Sequence, residues 1–176
     1  NRGEGFCLLN DIAIAAHYLL DHHQAQSILV LDLDVHQGNG TAEIMAAEKR
    51  VFTFSMHGAK NYPLHKARSD LDLALADQCE GPDYLRTLKQ FLPQTLKDFK
   101  PDFIFYQSGV DVLASDKLGR LALSREACKS RDQYVLESAR NLGIPLSISM
   151  GGGYSTKISD IIEAHANTFR LARDLV

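Results

Sequence analysis

The stretch Ser27-Ile28-Leu29-Val30-Leu31-Asp32-Leu33-Asp34-Val35-His36-Gln37-Gly38-Asn39-Gly40 decides the fold. Its first half is a short, nearly continuous apolar run, as expected of a parallel strand covered on both faces. Its second half delivers carboxylates and an imidazole just where that strand ends. The same design recurs outward along the chain. Arg50 to Met56 reads as a second strand, Asp102 to Gln107 as a third and Pro145 to Met150 as a fourth. Helical patterns separate them. Asn10 and Asp11 cap a helix to about Asp21, and Thr41 to about Lys49 forms the next. Pro82 to about Phe99 is helical with Pro93 marking a kink or break. Ser124 caps a helix running to Leu142, stopped by Gly143, and a last helix spans about Ser155 to Asp174. His57 to Gly81 is polar and irregular and reads as one long loop, a length usually kept for function. Alternating strands and helices predict an α/β protein: a three-layer α/β/α sandwich around a mainly parallel sheet.

The composition agrees. The 176 residues suffice for one domain with a substantial core, and 45% hydrophobic with 23% charged residues excludes a disordered or fibrous chain. No apolar run approaches the roughly 20 residues of a membrane span. A net charge of −3 argues against direct nucleic-acid binding through a phosphate-neutralising surface. Cys7, Cys79 and Cys128 are few, odd in number and far apart, which points to a reducing, cytoplasmic setting without a disulfide framework.

In a parallel sheet, sites form outside the carboxyl ends of the strands. Asp34 and His36 stand two apart on an extended segment and so project to one side. Asp111, after Gln107-Ser108-Gly109-Val110, could join them as a third ligand. Two carboxylates, one imidazole and open positions describe a catalytic site for zinc or another borderline divalent metal. Asp-x-Asp-x-His capping a strand is the plain alternative. The fourth strand ends in Gly151-Gly152-Gly153-Tyr154. The glycines permit close backbone approach and leave room for a substrate, and a phenol beside a metal can donate to a developing oxyanion.

Together these residues resemble the histone deacetylase family of zinc amidohydrolases, with its arginase/deacetylase fold. The matching motifs come in order: Gly5-Phe6-Cys7-Leu8-Leu9-Asn10, Asp32 to Gly40, Gln107 to Asp111, and Gly151 to Tyr154. Gln37, Asn39 and Asp116-Lys117-Leu118-Gly119-Arg120-Leu121 look most like the class IV branch and its bacterial relatives. The resemblance implies that Asp34, His36 and Asp111 hold zinc. It implies that Asp32 orients a catalytic histidine and helps bind a structural potassium, with the Ser55 hydroxyl and the backbone carbonyls of Asp34, His36 and Met56. Asn39 would face a second catalytic histidine, and Tyr154 would polarise the amide carbonyl. Gly5, Phe6, Tyr62, Leu118 and Gly152 match positions along an acyl-lysine tunnel. The substrate would be an acylated lysine of a protein or peptide, or another acylated amine.

The chain departs from the family in one respect. A tandem His-His precedes Gly-Phe-Cys in the family, whereas here the sequence opens at Asn1. Residues 1–176 are therefore expected to be the C-terminal part of a single deacetylase-like domain, lacking its N-terminal third. His22-His23 lies on the wrong side of the motif. His17, His57, His65 and His165 lack the tandem arrangement, and His57, straight after the second strand, is the one to locate. Three further readings stay open. These are an acetylpolyamine or small-amide deacetylase, a catalytically incomplete metal- or partner-binding fragment, and a binuclear ureohydrolase. The last wants a second Asp soon after His36, which Gln37-Gly38 does not supply.

Overall fold

The computed structural model describes residues 3–175. Its elements run α1 (Asp11–Asp21), β1 (Ile28–Asp32), α2 (Asn39–Met45), β2 (Val51–Gly58), β3 (Leu71–Leu75), α3 (Gly81–Phe99), β4 (Phe103–Gln107), α4 (Arg125–Asn141), β5 (Leu146–Ser149) and α5 (Ile158–Leu175). The strands form one sheet in the order β3-β2-β1-β4-β5, every neighbouring pair parallel.

β1 is central because its side chains are apolar on both faces. Ile28 and Val30 pack with Ile12, Ala16 and Leu20 of α1 and Met45 of α2. Leu29 and Leu31 point the other way, into a larger core built from Tyr84, Leu88, Leu92 and Leu96 of α3, Val135 of α4 and Ala164 of α5. Period-2 alternation thus produces two cores on opposite faces of one sheet, the α/β/α sandwich the sequence predicts.

Local signals set most boundaries. The Asn10 side chain accepts the Ala13 amide at the start of α1, and Ser124 accepts that of Ala127 at the start of α4. Pro93 sits inside α3 without dividing it, and the helix ends at Lys100 in the left-handed region. The segment 57–81 departs from expectation, because it contains a strand. Leu71, Leu73 and Leu75 alternate with Asp72 and Ala74, and β3 pairs through this run with the end of β2. As an edge strand it is covered on one side only, which leaves alternation instead of a solid apolar run. None of the described helices is long and apolar enough to cross a membrane.

The topology fixes where a site can form. From β1 the chain steps out through β2 to β3, then returns to β4 on the other side of β1 and on to β5. Connections leave β1 and β4 in opposite directions, so a crevice opens beyond their carboxyl ends.

Candidate active site

The β1–β4 ladder runs in register from Ile28↔Phe103 to Asp32↔Gln107, and a last bond joins the Leu33 amide to the Gln107 carbonyl at 3.1 Å. Beyond it the two strands diverge. Asp34 and His36 continue from β1, and Asp111 continues from β4. His36 Nδ1 lies 3.1 Å from Asp34 Oδ1 and 3.0 Å from Asp111 Oδ2. One ligand atom from each of the three residues lies within 4.8 Å of the others.

This geometry fits a borderline divalent cation. Ligands about 2.0 Å from a tetrahedral ion stand roughly 3.3 Å from each other. Two carboxylates and one imidazole nitrogen leave a position open for substrate or water, the pattern of a catalytic rather than a closed structural site. The carboxylates are also held. Asp111 is fully buried, and its Oδ1 accepts the Val35 amide at 2.9 Å. Asp34 Oδ1 accepts the His36 amide at 2.9 Å, and its Oδ2 accepts the Gly152 amide at 2.7 Å.

The three groups shift one another's ionisation. Burial opposes ionisation of Asp34, but hydrogen bonds from His36, Asp111 and the Gly152 amide hold its carboxyl below the usual range. Burial and the Asp34 charge push Asp111 up to about 7. Burial disfavours a charged His36, yet the hydrogen bonds to Asp111 and Asp34 outweigh it and lift the ring to about 10. A cation would compete with that proton for the same oxygens. Asp32 is driven well above its ordinary value by burial and by Asp34.

Tyr154 flanks this cluster, its ring edge-on to His36 at 6.4 Å between centroids. Burial and the nearby Asp111 and Asp34 charges push its phenol up to about 12, so it stays a donor. Phe6 tilts against it at 5.9 Å and is 86% exposed, so the two rings line an open approach. Tyr62 and Leu118 are also exposed, and the Tyr62 hydroxyl bonds to Glu4. Gly5 takes a positive φ of 58° beside them. Gly152 stands against the ligands themselves: a Cβ there would lie 1.9 Å from Asp111 Oδ2. Glycines 151 and 152 therefore make room for the Asp34 and Asp111 carboxylates, a demand that the sequence motif alone does not reveal.

Asp32 accepts the Asp34 amide at 3.1 Å, and Asp32 and Ser55 are register partners on β1 and β2. The Ser55 hydroxyl meets His57 Nδ1 at 3.0 Å, and Met56 is fully buried beside it. Asn39 opens α2 and donates to Glu4 at 3.4 Å. Among the described residues no imidazole hydrogen-bonds to Asp32 or Asn39. His57 is buried on β2, where desolvation lowers its pKa, and stands outside the Asp34–His36–Asp111 group. His22 caps α1 and stacks on Tyr18.

Two motif residues hold the loops around the site in ways their spacing does not reveal. Asp116 accepts the Tyr154 amide at 2.6 Å through Oδ2, and the Leu118 and Gly119 amides at 2.9 and 2.8 Å through Oδ1. It ties the tyrosine loop to the Leu118 loop. Its motif was visible, but no spacing rule says which amide a carboxylate will take. Gln37, noted as a signature residue, is buried, and its side chain bonds to Ala67 and Asp72, which anchors the segment before β3.

Fold and site together define an α/β protein with a candidate mononuclear metal centre at the switch point of its sheet. Comparison with protein families matches the Histone deacetylase domain over residues 1–169, and the chain belongs to this family. It is 44% identical over 173 residues to an uncharacterized protein of Picosynechococcus sp., covering 98% of this chain and 58% of that one. It is 32% identical to Histone deacetylase 2 of Arabidopsis thaliana, over 92% of this chain and 42% of the relative. The chain thus spans about half the length of these relatives. Among solved structures, an acetylpolyamine aminohydrolase from Burkholderia pseudomallei superposes with a TM-score of 0.81 at 26% identity, over 97% of this chain and 51% of that one. The HDA15 HD domain shares the fold, with a TM-score of 0.79 at 24% identity over 97% and 52%. The architecture is that of the arginase/deacetylase fold.

Proposed function

We propose that the chain carries the metal-binding and carbonyl-polarising half of a zinc-dependent amidohydrolase that removes acetyl or other acyl groups from lysine side chains. The observation that supports this most directly is the convergence of Asp34, His36 and Asp111 next to Tyr154 in a chain of the deacetylase family. When bound, zinc supplies Lewis acidity toward the amide carbonyl and acidifies water. The residues of the chain do the rest. Phe6, Tyr62, Leu118 and Gly152 line the approach of an acylated side chain, with Gly5 giving the Phe6 turn its conformation. Tyr154 donates its phenol proton in a hydrogen bond to the carbonyl oxygen as negative charge develops there. Asp32 and Asn39 orient a pair of histidines that act as general base and acid. We place that pair outside residues 3–175. A structural potassium belongs to Asp32, Ser55, Met56 and the carbonyls of Asp34 and His36. The support for it is the side-by-side placement of Asp32 and Ser55. A cytoplasmic setting is proposed on the sequence alone, from cysteines that are few and odd in number.

An acetylpolyamine substrate is the second reading, favoured by the similarity to the Burkholderia pseudomallei aminohydrolase. The test loads zinc into this chain and into a version extended N-terminally to the length of its relatives. Both are assayed on acetyl-lysine peptides and a panel of acetylated polyamines. Turnover of the peptides by the extended protein, with far less from the 176-residue chain, is expected. Equal rates would place the general base within this chain, and zinc binding without turnover in either would leave a metal-binding fragment.

A further inference from the structure

Among the described residues the largest fully buried side chain is an arginine, Arg131 on α4. A buried guanidinium loses its hydration, so its neighbours must satisfy it. Asp132, itself fully buried, takes its charge: Asp132 Oδ1 accepts Arg131 Nε at 2.8 Å. Asp132 also accepts the Tyr106 hydroxyl from β4 and the Thr168 hydroxyl from α5, the latter at 2.6 Å.

The other side of the guanidinium carries the inference. Arg131 Nη1 donates to the Leu33 carbonyl at 3.1 Å and to the Gly109 carbonyl at 2.7 Å. Leu33 directly precedes Asp34, and Gly109 lies two residues before Asp111. These carbonyls sit just past the end of the β1–β4 ladder, where the two strands part. A single nitrogen on a rigid, planar group therefore spans the crevice from beneath. It fixes the peptide that leads into Asp34 and the peptide that leads toward Asp111.

From this geometry we infer that Arg131 is a positioning residue for the metal centre, setting the separation between the Asp34/His36 arm and the Asp111 arm. The inference rests on the reading of Asp34, His36 and Asp111 as zinc ligands. It adds a residue that touches neither metal nor substrate and acts through two backbone carbonyls. A lysine could hold the charge against Asp132, but it lacks the planar fork that reaches Asp132 and both carbonyls together.

The test measures zinc affinity of the full chain by competition with a chromogenic chelator, and the visible absorption of the cobalt-substituted protein. Arg131→Lys is expected to weaken zinc binding 10- to 100-fold, the range for residues that orient ligands, and to alter the cobalt spectrum. Thr168→Val is the control. It removes a hydrogen bond to the same Asp132 carboxylate without touching either strand-end carbonyl, so it should lower thermal stability and leave zinc affinity unchanged. If Arg131→Lys does not fold, the double variant Arg131→Met/Asp132→Asn, which strands no buried charge, takes its place with the same expectation. Wild-type zinc affinity and cobalt spectrum in the arginine variant overturn the inference, as does equal weakening by Thr168→Val. Failure of the unaltered chain to bind zinc or cobalt overturns the metal reading itself, which separates the two failures.

Discussion

His36 Nδ1 and Asp111 Oδ2 lie 3.0 Å apart although 75 residues separate them in the chain. Nothing local brings them together. Their meeting requires β1 and β4 to pair in register and then diverge, so the ligand set exists only when the sheet does. With these three residues as the proposed metal ligands, metal binding is expected to be linked to folding.

Zinc should accordingly raise the melting temperature of this chain in a concentration-dependent way. At free zinc 100-fold above its dissociation constant the linkage is worth about 2.7 kcal/mol. Chelation should reverse the shift. Asp111→Asn keeps an acceptor for the Val35 amide, so the fold survives while the zinc-dependent shift is lost. Melting curves with zinc and with chelator check both, and a full zinc response in the asparagine variant would remove Asp111 from the ligand set.

Gly152→Ala tests the space beside the same carboxylate. A Cβ 1.9 Å from Asp111 Oδ2 must displace that side chain, because the obstacle is a buried, doubly bonded group. Zinc affinity should fall at least tenfold, comparable to losing a ligand-orienting partner. Gly143→Ala, at a φ of 66° with no atom within 4 Å of the added Cβ, is the control. It should affect stability through backbone strain alone. Equal zinc affinity in both variants would show that the carboxylate relocates freely.

Much of this was legible from residues alone, for reasons that can be named. β1 declared itself because Ile28 to Leu31 are apolar on both faces, which only a covered parallel strand demands. The convergence of Asp34, His36 and Asp111 was legible because strand ends of a parallel sheet are fixed geometric places, and residues two apart there, such as Asp34 and His36, share a direction. β3 was missed because an edge strand needs only half of that pattern, and Asp72 and Ala74 broke the run. Arg131 and Asp132 were missed although they lie on the buried stripe of α4 with Cys128, Val135, Leu136 and Ala139. Two charges on an apolar helical face were a usable signal. Their purpose depends on carbonyls 22 and 98 residues away, which no local period encodes.

His165, which is not one of the proposed ligands, is expected to give the stability a pH dependence. Its Nδ1 is buried without a hydrogen-bond partner among the described residues. Burial, then the positive Arg131, lowers its pKa below 6.5, against weaker opposing pulls from Asp132 and Asp34. Below 6.5 the unfolded chain takes up a proton that the folded one resists, so stability falls as pH drops through that value and levels off above it. His57, lowered mainly by burial, adds a contribution of the same sign. His165→Gln should therefore flatten the loss of urea stability as the pH falls below 6.5 without abolishing it. An unchanged slope would mean that the ring titrates normally in the fold.

Tyr154 and Asp116 separate the donor from its support. Tyr154→Phe keeps the ring that packs against Phe6 and His36 and removes only the hydroxyl. Zinc content should be unchanged while kcat on an acetyl-lysine peptide falls on the order of 10²–10³-fold, the usual cost of one lost oxyanion donor. Asp116→Ala leaves the hydroxyl in place but releases the Tyr154, Leu118 and Gly119 amides from a common carboxylate. A hydrogen bond to a charged group contributes about 1.5–3 kcal/mol, so this variant should melt lower than Tyr154→Phe does. Its kcat should fall less, about tenfold, with KM rising because Leu118 on the substrate approach is loosened together with the tyrosine. Both variants are measured in the N-terminally extended protein, with zinc content and melting temperature alongside turnover. A phenylalanine variant with near-normal kcat would reduce Tyr154 to a packing residue. An alanine variant that lowers kcat as deeply as Tyr154→Phe with no change in KM would instead place the Asp116 carboxylate in the reaction itself.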